Sequence, residues 1–279
     1  MEQKELWQKD AGENTELPGV KAESFREEDI SVTEVEILNE EGQRALNKPV
    51  GSYITLERRP LFGWDSAGFG RMAELLARQL RPMLHGARSV LVVGLGNIDV
   101  TPDALGPETL KNLIITRHLK QTEDRAFRTF HTVSAVQPGV LGSTGLESLE
   151  LVRGAAERVQ PDAIVVVDAL AAASAERVCT TVQLSSSGIV PGSGVGNSRC
   201  AFDRQTLGVP VSALGVPTVM DVGEAALRTR QEQTLPEGMI LTPRDIDRQI
   251  RCIGRLLGYG LNLALHPKLT LEQIPSFLL

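Results

Sequence analysis

Apolar residues fall along this chain in three rhythms, and each rhythm predicts a different kind of element. Two runs are continuous and branched: Val90-Leu91-Val92-Val93 with Leu95, and Ala163-Ile164-Val165-Val166-Val167 leading into Asp168-Ala169-Leu170. Such runs suit strands buried on both faces, as in a parallel sheet covered by helices. Other stretches alternate. Ile30-Ser31-Val32-Thr33-Glu34-Val35-Glu36-Ile37 switches between apolar and polar residues, and Tyr53-Ile54-Thr55-Leu56-Glu57 does so after a turn at Pro49-Val50-Gly51-Ser52. These predict half-buried strands at a sheet edge. The third rhythm is helical, with Met72, Leu75, Leu76 and Leu80 forming one stripe over residues 69–80.

Further helices are expected over residues 107–119, with Leu110, Leu113 and Ile114 inward, and over 145–159. A long one is expected from Thr242-Pro243-Arg244-Asp245 to about His266. Strands are expected at 132–136, 178–184 and 209–214, and residues 1–28, polar and charge-rich, read as a mobile arm. Strand and helix alternate through the middle of the chain. The predicted fold is a three-layer α/β domain: a mostly parallel twisted sheet with helices on both faces and an antiparallel N-terminal extension, phosphorylase/hydrolase-like in type. No repeat or low-complexity tract divides it.

The two buried strands also deliver the candidate chemistry. After Val93, Gly94 and Gly96 let the backbone turn sharply, and Asn97 can bond the turn's own main chain. Thr101-Pro102-Asp103 reads as a helix start. Asp103 thus follows one strand by a short loop, while Asp168 ends the other. In a parallel sheet both acids lie at the carboxyl edge, where ligands of open α/β sheets bind. Facing carboxylates share a proton, so one can activate water while the other donates to a leaving group. A first-turn acid favoured by the helix dipole accounts for Asp103 equally well, and helix capping for Asp168. Asp99 reads as a solvated loop residue. The Gly-rich loop Pro191-Gly192-Ser193-Gly194-Val195-Gly196-Asn197 could cradle an anion or a substrate backbone, or simply make a tight connection.

Composition narrows the function classes. A formal charge of −6 argues against a nucleic-acid-binding surface. No run approaches ~18 apolar residues and the chain starts polar, so a soluble, cytoplasmic protein with no membrane contact is expected. Three cysteines without metal spacing fit a reducing compartment, and Cys179 and Cys200 are read as buried thiols. A dinucleotide site is rejected: the third glycine of the fingerprint is missing, and Asp168 lies 72 residues beyond Gly96. There is no HExxH and no GxSxG, and the four histidines (85, 118, 131 and 266) are scattered.

Gly94-Leu95-Gly96-Asn97, followed by Thr101-Pro102-Asp103-Ala104-Leu105-Gly106-Pro107, resembles the signature of the germination protease family of spore-forming bacteria. Further blocks in the same order resemble the family too: 113–119, 138–147, 167–172, 191–197, 215–219 and 260–266. The resemblance implies an endopeptidase that degrades small acid-soluble spore proteins in the spore core, cutting after Glu and before an apolar residue. It implies an atypical aspartic-type site at Asp103 and Asp168. Asn97 and the 191–197 loop (Gly192, Ser193, Gly194, Gly196, Asn197) are the candidate substrate-binding residues beside it. It further implies a homotetramer made as a self-processing zymogen. Thr15-Glu16-Leu17 looks like a processing site, giving a propeptide of residues 1–16 and one peptidase domain over 17–279; Pro18 directly after it departs from the pattern. A second departure is the short segment between Val219 and Thr242. A more distant similarity, to hydrogenase-maturation endopeptidases, would bring metal-binding acids and a histidine. No histidine lies near residues 215–219, so neither metal nor cofactor is expected. A metal-dependent endopeptidase and a non-catalytic binding relative are the rival readings.

Overall fold

The computed structural model describes residues 17–61, 66–121, 127–192, 200–221 and 239–278. A single mixed sheet organises them. Its strands are β1 (Val20–Glu27), β2 (Ile30–Ile37), β3 (Gly51–Glu57), β4 (Ser89–Gly94), β5 (Thr132–Val136), β6 (Ala163–Ala172), β7 (Thr181–Ser185), β8 (Val211–Asp221) and the short β9 (Ile240–Leu241). They run in the order β1-β2-β3-β7-β8-β6-β4-β5, with β9 added to the end of β8. β8, β6, β4 and β5 are parallel, whereas β7, β3, β2, β1 and β9 pair antiparallel. The predicted parallel centre with an antiparallel extension is therefore present.

Helices cover both faces: α1 (Glu40–Leu46), α2 (Ser66–Met83), α3 (Leu105–Leu110), α4 (Leu141–Thr144), α5 (Ser148–Val159), α6 (Arg204–Leu207) and α7 (Ile246–Leu265). Alternation along the central strands splits the core in two. Val90, Val92, Val165, Val167, Leu214 and Val216 face the stripe of α2 (Met72, Leu75, Leu76, Leu80) and the apolar side of α7. Leu91, Val93, Ile164 and Val166 face Leu149, Val152 and Ala156 of α5.

Four expectations are corrected. Residues 20–27, expected within a mobile arm, form β1, which pairs along its whole length with β2. The helix expected over 107–119 stops at Leu110 because tertiary partners take its backbone. Ile114 N–H donates to the Asn262 side chain at 2.9 Å, and Thr116 N–H and Arg117 N–H both reach the Val133 carbonyl. The long C-terminal helix begins at Ile246 rather than Thr242, since the Thr242 hydroxyl is bonded back to the Thr218 carbonyl. And β7 starts at Thr181, after a turn in which Cys179 N–H bonds the Pro217 carbonyl.

His266 closes α7 with its ring against Phe130, centroids 4.6 Å apart. The side chain is 2% exposed and neither ring nitrogen has a hydrogen-bond partner. Burial pushes its pKa from 6.5 down to about 4; the Ile114 main chain, near the ring but not in hydrogen-bond geometry, opposes the shift, and His131 and Lys120 add to it. The unfolded chain therefore binds a proton between these values that the folded chain refuses. Stability must fall as pH drops from about 6.5 towards 4, by about 3 kcal/mol in total. Urea midpoints at several pH values should show that slope in the wild type and a clearly shallower one in His266→Phe, where the remainder comes from His131, whose pKa burial also lowers. An equal slope in both would rule His266 out as its source.

Candidate active site

β4 ends in a loop built on three glycines. Gly94 lets Gly106 of α3 pack directly on the strand end, where any added Cβ would lie 2.8 Å from the Gly106 carbonyl. Gly106 in turn sits against Leu95, with a Cβ position 2.2 Å from the Leu95 carbonyl oxygen. Gly96, at φ +112°, presses on Asp103, and a Cβ there would be 1.9 Å from the Asp103 carbonyl oxygen. The chain thus doubles back tightly, and the turn Thr101–Asp103 is laid against β6, β8 and α7.

Asp103 closes this loop as well as being displayed by it. One oxygen of its carboxylate accepts the Asn97 N–H at 2.7 Å. The Asn97 side chain accepts the Asp99 N–H at 3.0 Å, so it bonds the turn as expected. Asp99 itself is exposed.

Asp168 lies inside β6 rather than at its end, a further departure from the sequence expectation: the strand continues four residues to Ala172. What ends there is the pairing with β4. Gly94 pairs with Val167 and Leu95 N–H donates to the Val167 carbonyl at 2.8 Å, so Asp168 is the first residue of β6 past its β4 neighbour. On the other side it pairs with Gly215, a position without a side chain. By alternation Asp168 continues the face of Ile164 and Val166, and it is 6% exposed. The turn bearing Asp103 and the strand bearing Asp168 are therefore in contact at the carboxyl edge of the parallel strands.

Of the glycine-rich loop, Gly192 is in a turn at φ +73°. Ser193, Gly194, Gly196 and Asn197 lie outside the described residues. The arms of the loop are closed by Ile189 and Phe202, which exchange main-chain hydrogen bonds of 3.0 and 2.8 Å. Phe202 is buried in the α5-side core, the face that Asp168 extends. At the other predicted site, Glu16 lies outside the described residues. The Leu17 carbonyl accepts the Val20 N–H at 3.0 Å, anchoring the entry to β1.

Cys179 is buried, and burial pushes its thiol up to about 12, with Asp245 adding, so it is unreactive. Cys200, expected to be buried, is exposed. Its segment follows the glycine-rich loop and presents only Phe202 to the core. Among the described residues, no three His, Cys, Asp or Glu side chains are placed to share a metal ion, and no helix is long and apolar enough to cross a membrane. The carboxyl edge also holds two residues that strand patterning alone did not single out. Thr218 and Asp221 both lie in the last four residues of β8, which runs well past the expected end at 214.

The fold is thus a three-layer α/β one whose mixed sheet has a parallel centre, with a tight glycine loop and the turn bearing Asp103 laid against β6. The profile of the germination protease family matches residues 1–229. The chain is 38% identical to a germination protease of Clostridium tetani, over all of this chain and 97% of that one. It is 40% identical to one of Caldanaerobacter subterraneus subsp. tengcongensis, over 94% and 93%, and 39% identical to one of Priestia megaterium, over 94% and 71%. The chain belongs to the germination protease family and is accordingly a peptidase. The Clostridium tetani alignment spans 317 positions against 279 residues here, so at least 38 positions of it have no counterpart in this chain. Among solved structures, a nickel–iron hydrogenase maturation protease from Thermococcus kodakarensis is similar over 66% of this chain and 98% of its own, with 14% identity and a TM-score of 0.38.

Proposed function

We propose that this peptidase is an endopeptidase that cuts small acid-soluble spore proteins after Glu and before an apolar residue, using Asp103 and Asp168 as an acid/base pair. The observation that supports the reading is the offset of β6 past β4, which leaves Asp168 without a β4 neighbour on a strand that the turn bearing Asp103 touches. With one proton between them, the ionised carboxylate takes a proton from water as it attacks the scissile carbonyl. The protonated carboxyl gives its proton to the departing amine. The pair then holds one proton again, so the cycle closes, and it titrates as a unit. In this reading the chain is made as a zymogen in the forespore, removes residues 1–16 by cutting at Glu16–Leu17, and works as a homotetramer. It needs neither metal nor cofactor.

The test is digestion of a purified small acid-soluble spore protein, with cut sites read by mass spectrometry, in the presence and absence of a chelator. Protein starting at Leu17 is run beside the full chain. Cleavage after Glu that ignores the chelator is expected. Loss of activity on chelation would move the site to a metal mechanism, and no cleavage by folded protein would favour a binding relative.

A further inference from the structure

β8 is a central strand with a proline in it. Pro217 has no N–H to give to a ladder, so the pairing with β6 cannot run through it unbroken. Leu170 pairs with Pro217 and Ala171 with Val219, leaving Thr218 as the extra residue of a β-bulge. The bulge is pinned on both sides. Cys179 N–H donates to the Pro217 carbonyl at 2.7 Å, and the Thr242 hydroxyl donates to the Thr218 carbonyl at 3.0 Å.

The main chain is thus well held, but the Thr218 hydroxyl is not. The side chain is 1% exposed and its Oγ1 has no hydrogen-bond partner. Leaving a hydroxyl buried and unpaired destabilises a fold, and valine would fill the same shape in a strand without that penalty. A bulge that re-aims one side chain, holds it firmly and leaves its polar atom unsatisfied is what a binding group looks like before its ligand arrives. Its position fits. Gly215 is opposite Asp168, and Thr218 is three residues further along β8, at most roughly 10 Å at about 3.3 Å per residue; a regular strand would turn it to the other face, and the bulge interrupts that alternation. That is the reach of about three residues of an extended peptide.

We infer that Thr218 is a further substrate-binding residue, whose hydroxyl donates to a main-chain carbonyl of the peptide about three residues from the bond that is cut. The inference rests on the two-aspartate peptidase reading. Because the hydroxyl is sealed in the free protein, the peptide reaches it by displacing what covers it, and binding and uncovering are one event.

The experiment measures kcat and KM on a small acid-soluble spore protein, and thermal midpoints, for the self-processed wild type, Thr218→Val and Thr218→Ser. Ser134→Ala serves as control, because Ser134 Oγ is also buried and unpaired but lies in mid-β5. Thr218→Val is expected to melt higher by about 2–4 °C while KM rises about 10-fold and kcat stays within about twofold, the pattern of a contact made equally in ground and transition states. Thr218→Ser should recover most of the KM, and Ser134→Ala should leave both constants unchanged. A wild-type KM in Thr218→Val, or a serine variant as impaired as the valine one, would overturn the inference while leaving the peptidase reading intact. A folded wild type that cuts nothing would overturn the peptidase reading, and this inference with it.

Discussion

Asp168→Asn is expected to fold normally and to lose on the order of 10²–10⁴-fold in kcat, the contribution of one positioned acid or base. The substitution keeps shape and hydrogen-bonding capacity in a side chain that is 6% exposed, so packing on the face of Ile164 and Val166 should survive. What it removes is the ability to hold or release a proton. Asp103→Asn is expected to do the same, and here the geometry gives an internal control. The carboxylate of Asp103 accepts the Asn97 N–H, and an amide oxygen can accept that bond in its place. The loop should therefore keep its form while the chemistry fails. Since the pair acts as a unit, the double variant should be little worse than either single one. Circular dichroism and turnover of a spore-protein substrate check both halves. A folded variant within tenfold of wild type would remove that aspartate from the mechanism.

The second large effect is structural. Gly96→Ala places a methyl group 1.9 Å from the Asp103 carbonyl oxygen, on a backbone at φ +112° that L residues rarely adopt. The tight contacts are with the Asp103 main chain, its carbonyl oxygen at 1.9 Å and carbon at 3.0 Å, so the loop itself must open. A loss of about 3 kcal/mol or more is expected, from backbone strain and overlap together, and with it the placement of Asp103. Gly154→Ala, on the exposed side of α5 with open space around it, should instead be neutral or slightly stabilising. Urea midpoints of the two variants read the difference directly, and equal midpoints would show that the Gly96 loop yields freely.

What could be seen in the sequence was whatever a single element decides for itself. The continuous runs of β4 and β6 and the stripe of α2 are set by their own residues, and they are where the patterning put them. So is the parallel pairing of β4 with β6, which lays the turn after β4 against β6. The errors fall where a distant partner decides. Thr116 could have continued a helix, but its hydroxyl accepts the Val133 N–H and donates to the His131 carbonyl. β1 is exposed along nearly its whole length, so it has no buried face to betray it, and only its ladder with β2 makes it a strand. The patterning ends β6 at Asp168 because the branched apolar run stops there. The pairing with β8 carries the strand onward, past the bulge at Thr218. Thr218 was hidden because a proline in a pattern reads as a break, not as a bulge.

The arrangement of α7 also has a consequence for how this protein is made. α7 lies later in the chain than every strand of the sheet, and its Ile250, Ile253, Leu256, Leu257 and Leu261 fill the core beneath β4, β6 and β8. Asn262 near its end is fully buried and binds both the Ile114 N–H and the Asn112 carbonyl. During synthesis, then, the part of this apolar face that α2 does not cover stays exposed after β8 has emerged. At about 5–20 residues per second that interval lasts several seconds. A nascent chain in this state is the one most exposed to aggregation, and a helper that shields apolar surface would matter most in that window.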